Sequence, residues 1–260
     1  MRRNHLSLTV LSAIVLLAAG LAPQAFASEI NYTQDFTGPD GSFPADWFDS
    51  THGSFSNNIV DINNNQLRMR RDASNPSSLA RNAAYVGGDS ATWDNYTVEV
   101  LFTGNTESQY QATGILGRWQ GASSINSGYF AYEMYGTPGV LKIGKDYSGQ
   151  GDAATVLAST SLARTVHANE VTRLVFQLNG EQLTAWLYAE GSTPGVYDDL
   201  LGTVTTTDST YSQGSAGLRA GLGGYNREAL FDDFSVTSIP EPAAVSMLAL
   251  GVMLLVGRVR

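Results

Sequence analysis

The chain has no cysteine among its 260 residues. That excludes disulfides, a thiol nucleophile and any thiolate metal site. Histidine is almost as scarce, at 3 residues. His52 and His167 have no neighbour at metal-ligand spacing and sit in polar, turn-like surroundings, so a histidine-bound zinc has no support. Basic residues are few: 15 Lys and Arg stand against 24 Asp and Glu, for a formal net charge of −9. Nucleic acid and anionic membrane surfaces are therefore disfavoured as partners. There is no Gly-x-Ser-x-Gly nucleophile elbow. The glycines of Gly221 to Gly224 neither follow a strand into a helix nor match a phosphate loop, and read as a turn. Between residues 28 and 239 there is no long apolar run, no amphipathic helix and no internal repeat.

The two ends differ from this middle. Arg2 and Arg3 open the chain, Leu6 to Leu21 is largely apolar, and Ala25-Phe26-Ala27 fits a small-x-small cleavage pattern. These are the parts of a secretory signal peptide over residues 1–27, with Ser28 as the first mature residue. At the other end, Ala243 to Gly257 is apolar nearly all round. As a helix it reaches roughly 22 Å at 1.5 Å per residue, short against a bilayer core of about 30 Å. Arg258 and Arg260 follow, and by the positive-inside tendency they face the cytoplasm, as do the N-terminal arginines. Both ends then face inward, and the segment between them is exported.

That segment reads as strand after strand. Tyr96, Val98, Val100 and Phe102 alternate onto one face, and so do Thr172, Leu174, Phe176 and Leu178. Asn179-Gly180 follows, then Leu183, Ala185 and Leu187 resume the apolar face, the signature of a hairpin. In Gln182 to Ala189 the same alternation turns Thr184, Trp186 and Tyr188 to the opposite side. Further strands are predicted at Ile59–Asn63, Gln66–Arg71, Ala112–Trp119, Tyr129–Tyr135, Val140–Lys145, Ser215–Ala220 and Leu230–Val236. Many short strands with turns rich in Gly, Asn, Ser and Asp argue an all-β sandwich or barrel in one domain.

Two resemblances follow. Pro240-Glu241-Pro242, the short apolar helix and the basic Arg258 and Arg260 resemble the PEP-CTERM sorting signal, over residues 238–260. The resemblance implies a Gram-negative producer of exopolysaccharide and an inner-membrane-tethered precursor. An exosortase-type protease processes such a precursor, releasing the protein to the cell surface or matrix. The order of motifs over residues 28–237 resembles the concanavalin A-like or laminin-G-like jelly roll. It opens with Asp35-Phe36 and Trp47. Gly114 to Trp119, Gly128 to Tyr135, Leu141 to Gly144 and the Leu174–Tyr188 hairpin form the middle. Gly214 to Leu218 and Ala229 to Val236 close it. The expected architecture is thus a jelly-roll β-sandwich between an N-terminal signal helix and a short C-terminal transmembrane helix.

The fold hosts lectins, adhesion modules, glycosidases and lyases, so it does not fix function. Glycoside hydrolases of this fold carry Glu-x-Asp-x-x-Glu on one strand, since one acid protonates the leaving oxygen while another attacks or activates water. No such cluster occurs here. Asp198-Asp199 and Asp232-Asp233 are adjacent pairs, which in a strand point to opposite faces. The favoured reading is a non-catalytic module that binds glycan or exopolysaccharide, or packs as a surface structural protein. The alternative is a divergent polysaccharide hydrolase or lyase. The candidate ligand residues are Trp186 and Tyr188, which can stack on sugar rings, and Arg118, Tyr129, Glu133 and Tyr135. The last three share a strand face, and the charged members can bond hydroxyls. The resemblance also implies a structural Ca²⁺ where the first and last strands meet, at Asp35 with Asp232 or Asp233.

The mass of the intact protein recovered from its native host tests the terminal signals. A chain beginning near Ser28 and ending near Pro240 is expected. A mass that retains residues 243–260 contradicts the sorting signal.

Overall fold

A computed structural model describes residues 29–49, 58–71, 80–88, 91–104, 111–120, 127–147, 153–222 and 227–240. The N-terminal signal, and the sorting signal from Glu241 onward with Pro242, Arg258 and Arg260, lie outside the described residues; Ser238, Ile239 and Pro240 lie within them. The described residues form strands and turns and contain no helix.

Two antiparallel sheets make up the structure. The first uses β1 (Asn31–Gln34), β3 (Asn58–Asn63), β4 (Gln66–Arg71), β6 (Tyr96–Gly104), β11 (Thr172–Asn179), β12 (Gln182–Ala189), β13 (Asp199–Thr207) and β15 (Glu228–Ser238). Its order is β13-β12-β11-β6-β15-β4-β3, with β1 also pairing β15. The second uses β2 (Trp47–Asp49), β5 (Ala80–Val86), β7 (Gln111–Trp119), β8 (Tyr129–Met134), β9 (Val140–Tyr147), β10 (Ala153–Ser161) and β14 (Ser215–Leu222). Its order is β10-β9-β8-β7-β14-β5-β2. This is the all-β sandwich expected from the strand pattern.

Alternation builds the core between the sheets. β6 is buried at every second residue, so Tyr96, Val98, Val100 and Phe102 point inward. Leu174, Phe176 and Leu178 of β11 join them, with Leu183, Ala185, Leu187 and Ala189 of β12. From the facing sheet come Ile115, Tyr129, Ala131, Ile143, Leu218 and Ala220, all in one cluster. Burying one such Leu or Ile side chain is worth about 2 kcal/mol. The chain's opening closes onto its end: Trp47 packs edge-on against Phe36 at 5.4 Å and Phe234 at 4.9 Å, centroid to centroid.

The turns follow local chemistry. Asn64 and Asn65 both have positive φ, 52° and 59°, and join β3 to β4 in a two-residue turn of the I′ kind. Gly180 has φ 56° and, with Glu181, makes the turn between β11 and β12. Its N–H donates to Asn95 Oδ1 at 2.7 Å.

The two sheets treat their outer faces differently. In the eight-stranded sheet the outer residues of β6 are only partly buried. In the seven-stranded sheet β7 and β14 are buried throughout. The outer face there carries a second cluster of Tyr85, Ala112, Leu116, Trp119, Phe130 and Tyr132. The Arg219 guanidinium lies over the rings of Phe130 and Tyr132, at 4.7 and 5.2 Å. The outer face of the eight-stranded sheet is thus open along its central strands, while that of the seven-stranded sheet opens at its edge, where Phe48 is 47 % exposed and stacks on Tyr85.

Candidate functional site

The site is built on β12. Leu183, Ala185, Leu187 and Ala189 are fully buried, and a strand turns successive side chains to opposite faces. Thr184, Trp186 and Tyr188 must then face outward, and Trp186 and Tyr188 are only partly buried. Strand pairing supplies the neighbours. Trp186 lies between Val175 of β11 and Thr203 of β13, and Tyr188 between Arg173 and Leu200. Leu200 is 48 % exposed.

Arg173 completes the surface. Its Cζ sits 5.6 Å from the centre of the Tyr188 ring. Its Nη2 and Nε donate to Glu99 Oε2 at 2.5 and 3.0 Å. Both side chains of this pair are 36 % exposed, so it adds little to stability. Among the described residues no hydrogen bond engages Trp186 Nε1, the Tyr188 hydroxyl, Arg173 Nη1 or Glu99 Oε1. Two aromatic rings with free donors and a free acceptor beside them form an amphipathic platform. It can stack on an apolar ring face and bond hydroxyls at that ring's edge.

The other predicted ligand residues lie elsewhere. Arg118, at 2 % exposure, is buried at a bulge of β7 with φ 47°. Its Nε and Nη2 donate to Asp94 O at 3.0 and 2.8 Å, and Nη1 to Tyr211 O at 2.9 Å. Its guanidinium ties two loops together and does not face a ligand. Tyr129 is likewise committed. Its hydroxyl bonds Asp208 Oδ1 at 2.7 Å and accepts Tyr211 N–H at 3.0 Å. Burial, with Asp208 beside it, pushes this phenol up to about 12. Lys145 Nζ donates to the other Asp208 oxygen at 2.7 Å.

Tyr129, Glu133 and Tyr135 do share a face, but it is the face between the sheets. All three are at most 1 % exposed. Their segment is aromatic on both sides, with Phe130 and Tyr132 on the outer face, so its composition could not say which side looks inward. Arg173 and Glu99 were missed for another reason. Each is legible as an outward residue of its own strand, but their meeting depends on the pairing of β6 with β11, seventy-odd residues apart in sequence.

The first and last strands do meet, with Gln34 opposite Phe234. Asp35 and Asp233 line an open depression of about 310 Å³ with Thr33, Gln34, Phe234 and Ser235. Asp35 Oδ1 accepts the N–H and hydroxyl of Thr37 at 3.1 and 3.0 Å, which holds that carboxyl below its usual range. Burial raises the Asp232 carboxyl, and the charges of Asp233 and Asp35 add to the rise. Among the described residues no three acidic or histidine side chains converge on a metal position. As placed, then, the three aspartates are neighbours and not a finished ligand set.

No protein-family profile matches the chain, and no curated protein matches it. Solved structures do. The carbohydrate-binding module CBM66 of Bacillus subtilis is 20 % identical, with a TM-score of 0.50 over 77 % of this chain and 100 % of that one. The Ca²⁺-bound exoplasmic/lumenal domain of VIP36 is 10 % identical, with a TM-score of 0.52 over 80 % and 89 %. A structure from a description of endo-acting O-glycanases of the human gut microbiota is 10 % identical, with a TM-score of 0.53 over 81 % and 99 %. These likenesses establish a lectin-like jelly-roll fold shared by binding modules and enzymes, and the fold leaves the ligand open.

Proposed function

We propose that this chain is an exported, non-catalytic glycan-binding module whose ligand lies on the outer face of the eight-stranded sheet. The observation that carries the reading is the partly exposed Trp186–Tyr188 pair, flanked by Arg173 and Glu99 with free polar atoms. A tryptophan and a tyrosine held two residues apart on an open sheet are costly to leave in water, and sugar rings offer the flat C–H faces that cover them. The ligand class that fits the sorting signal is the exopolysaccharide of the producing cell. In this reading the exosortase-processed protein is held in the matrix by that polymer.

Incubating Ser28 to Ile239 with a panel of polysaccharides tests the function. Retention without new reducing ends is expected, and released reducing ends would overturn the non-catalytic reading. Trp186→Ala should abolish retention at a stability loss of about 1 kcal/mol, as for a partly exposed side chain. A loss of 3–5 kcal/mol, as for a core tryptophan, would make Trp186 structural. Arg118→Ala, by contrast, leaves the Asp94 and Tyr211 carbonyls unpaired and should cost about 3 kcal/mol.

A structural Ca²⁺ at Asp35, Asp232 and Asp233 belongs to the same proposal. The mutual repulsion of these carboxylates is what supports it, since a hard divalent cation relieves such repulsion and takes oxygen ligands. An ion that binds only the folded state raises its melting temperature. A rise between EGTA and millimolar Ca²⁺, lost in Asp233→Asn, is expected, and an unchanged melting curve would remove the ion from the account.

A further inference from the structure

The interior of the sandwich holds an oxygen-rich spot that the ligand face does not use. It is made by β7 and by β8 with the residue that follows it. Thr113 and Glu133 are direct cross-strand partners. One step further along, Tyr135 N donates to Gln111 O at 3.3 Å. All four side chains face the other sheet and are at most 1 % exposed. None of Gln111 Oε1, Thr113 Oγ1, Glu133 Oε1, Glu133 Oε2 and Tyr135 Oη has a hydrogen-bond partner. The amide nitrogen of Gln111 is already committed to Glu228 O at 3.1 Å.

The surroundings offer Glu133 no counter-charge. Its partner on β9 is Leu141. A Cβ at Gly139 would stand 3.5 Å from Glu133 Oε1 and 3.0 Å from Leu162. Gly104 of β6 closes against Gln111 and Tyr135. The charged groups that act on the site are Glu170 and Arg164. These are paired with each other, Arg164 Nη2 donating to Glu170 Oε1 at 2.5 Å. The remaining titratable neighbour is Tyr135, whose own hydroxyl burial pushes up. An ionised carboxylate here would be a buried charge with no hydrogen-bond donor and no cation paired to it, a costly state. A neutral carboxylic acid removes that charge and turns one of its oxygens into a donor.

We propose that Gln111, Thr113, Glu133 and Tyr135 form a closed proton-binding site, in which the folded protein holds Glu133 as a neutral carboxylic acid at neutral pH. Burial pushes this carboxyl up to about 8, with Glu170 adding to the rise and Arg164 opposing it. In the unfolded chain the same group titrates near 4.5. Below the unfolded value both states carry the proton, and the folded state keeps its full stability. Between the two values only the folded state carries it, so each pH unit lowers the folding constant tenfold. Above about 8 both states are ionised and the loss is complete, about three thousandfold in all. The site's own contribution to stability is thus greatest in acid and falls as the medium turns alkaline.

Glu133→Gln keeps the shape and the hydrogen-bonding capacity without the charge. Its melting temperature should match that of the wild type near pH 4.5 and exceed it at pH 8, with a flatter profile between. A variant that melts lower than the wild type at pH 8 would overturn the proposal. That sign belongs to a carboxylate held ionised by a cation. The wild-type protein provides a second measurement that needs no variant to fold. Its infrared spectrum at pH 6.5 should show the C=O stretch of a neutral carboxyl that disappears on unfolding, and its absence would equally overturn the proposal.

Discussion

The inward anchoring of β12 is the constraint on which the rest of the account depends. Leu183, Ala185, Leu187 and Ala189 each have no exposure to solvent. Their period of two leaves Trp186 and Tyr188 no choice of side. A slip of one residue against β11 would turn these four outward and drive a tryptophan, a tyrosine and a threonine into the core. At about 2 kcal/mol for each large apolar side chain exposed, that register is closed to the chain. The outward, partly exposed placement of this aromatic pair is thus a consequence of the core.

The same reasoning explains why the two outer faces differ. On the eight-stranded sheet β6 places Thr97, Glu99, Leu101 and Thr103 outward between buried residues, and the surface is mixed and open. On the seven-stranded sheet β7, β8 and β14 carry Leu116, Trp119, Phe130, Tyr132 and Arg219 on the outer side, all buried. One face is open along its centre, while the centre of the other is buried. The polar residues inside divide in the same way. Arg118 and Tyr129 have hydrogen-bond partners for their polar groups and hold loops in place. Glu133 has none and is best accommodated without charge.

Much of this architecture was legible in the chain. β6, β11 and β12 follow from strict alternation, and β4 has the expected limits, Gln66–Arg71. β1, β2, β5, β10 and β13 carry no such signal. β10 reads Ala-Ala-Thr-Val-Leu-Ala-Ser-Thr-Ser, and a run of small and hydroxyl residues at a sheet edge has too little contrast to signal a strand. The outward placement of Trp186 and Tyr188 was legible because the opposite positions are plainly apolar. The side taken by Glu133 was not, because its strand is apolar on both faces. Nor was the role of Arg118, whose partners are backbone carbonyls twenty-four and ninety-three residues away. Contacts made to the main chain leave no mark in the pattern of side chains.

The four indole N–H groups give the most direct test of where a ligand sits. Trp186 lies on the open face, Trp119 on the outer face of the other sheet, Trp47 in the core, and Trp93 beside Tyr96 at a centroid distance of 6.2 Å. In an NMR titration with an oligosaccharide cut from a retained polysaccharide, the Trp186 indole resonance should shift and saturate while that of Trp119 stays in place. A saturable shift of Trp119 with Trp186 unmoved would place the ligand on the seven-stranded sheet and contradict the account.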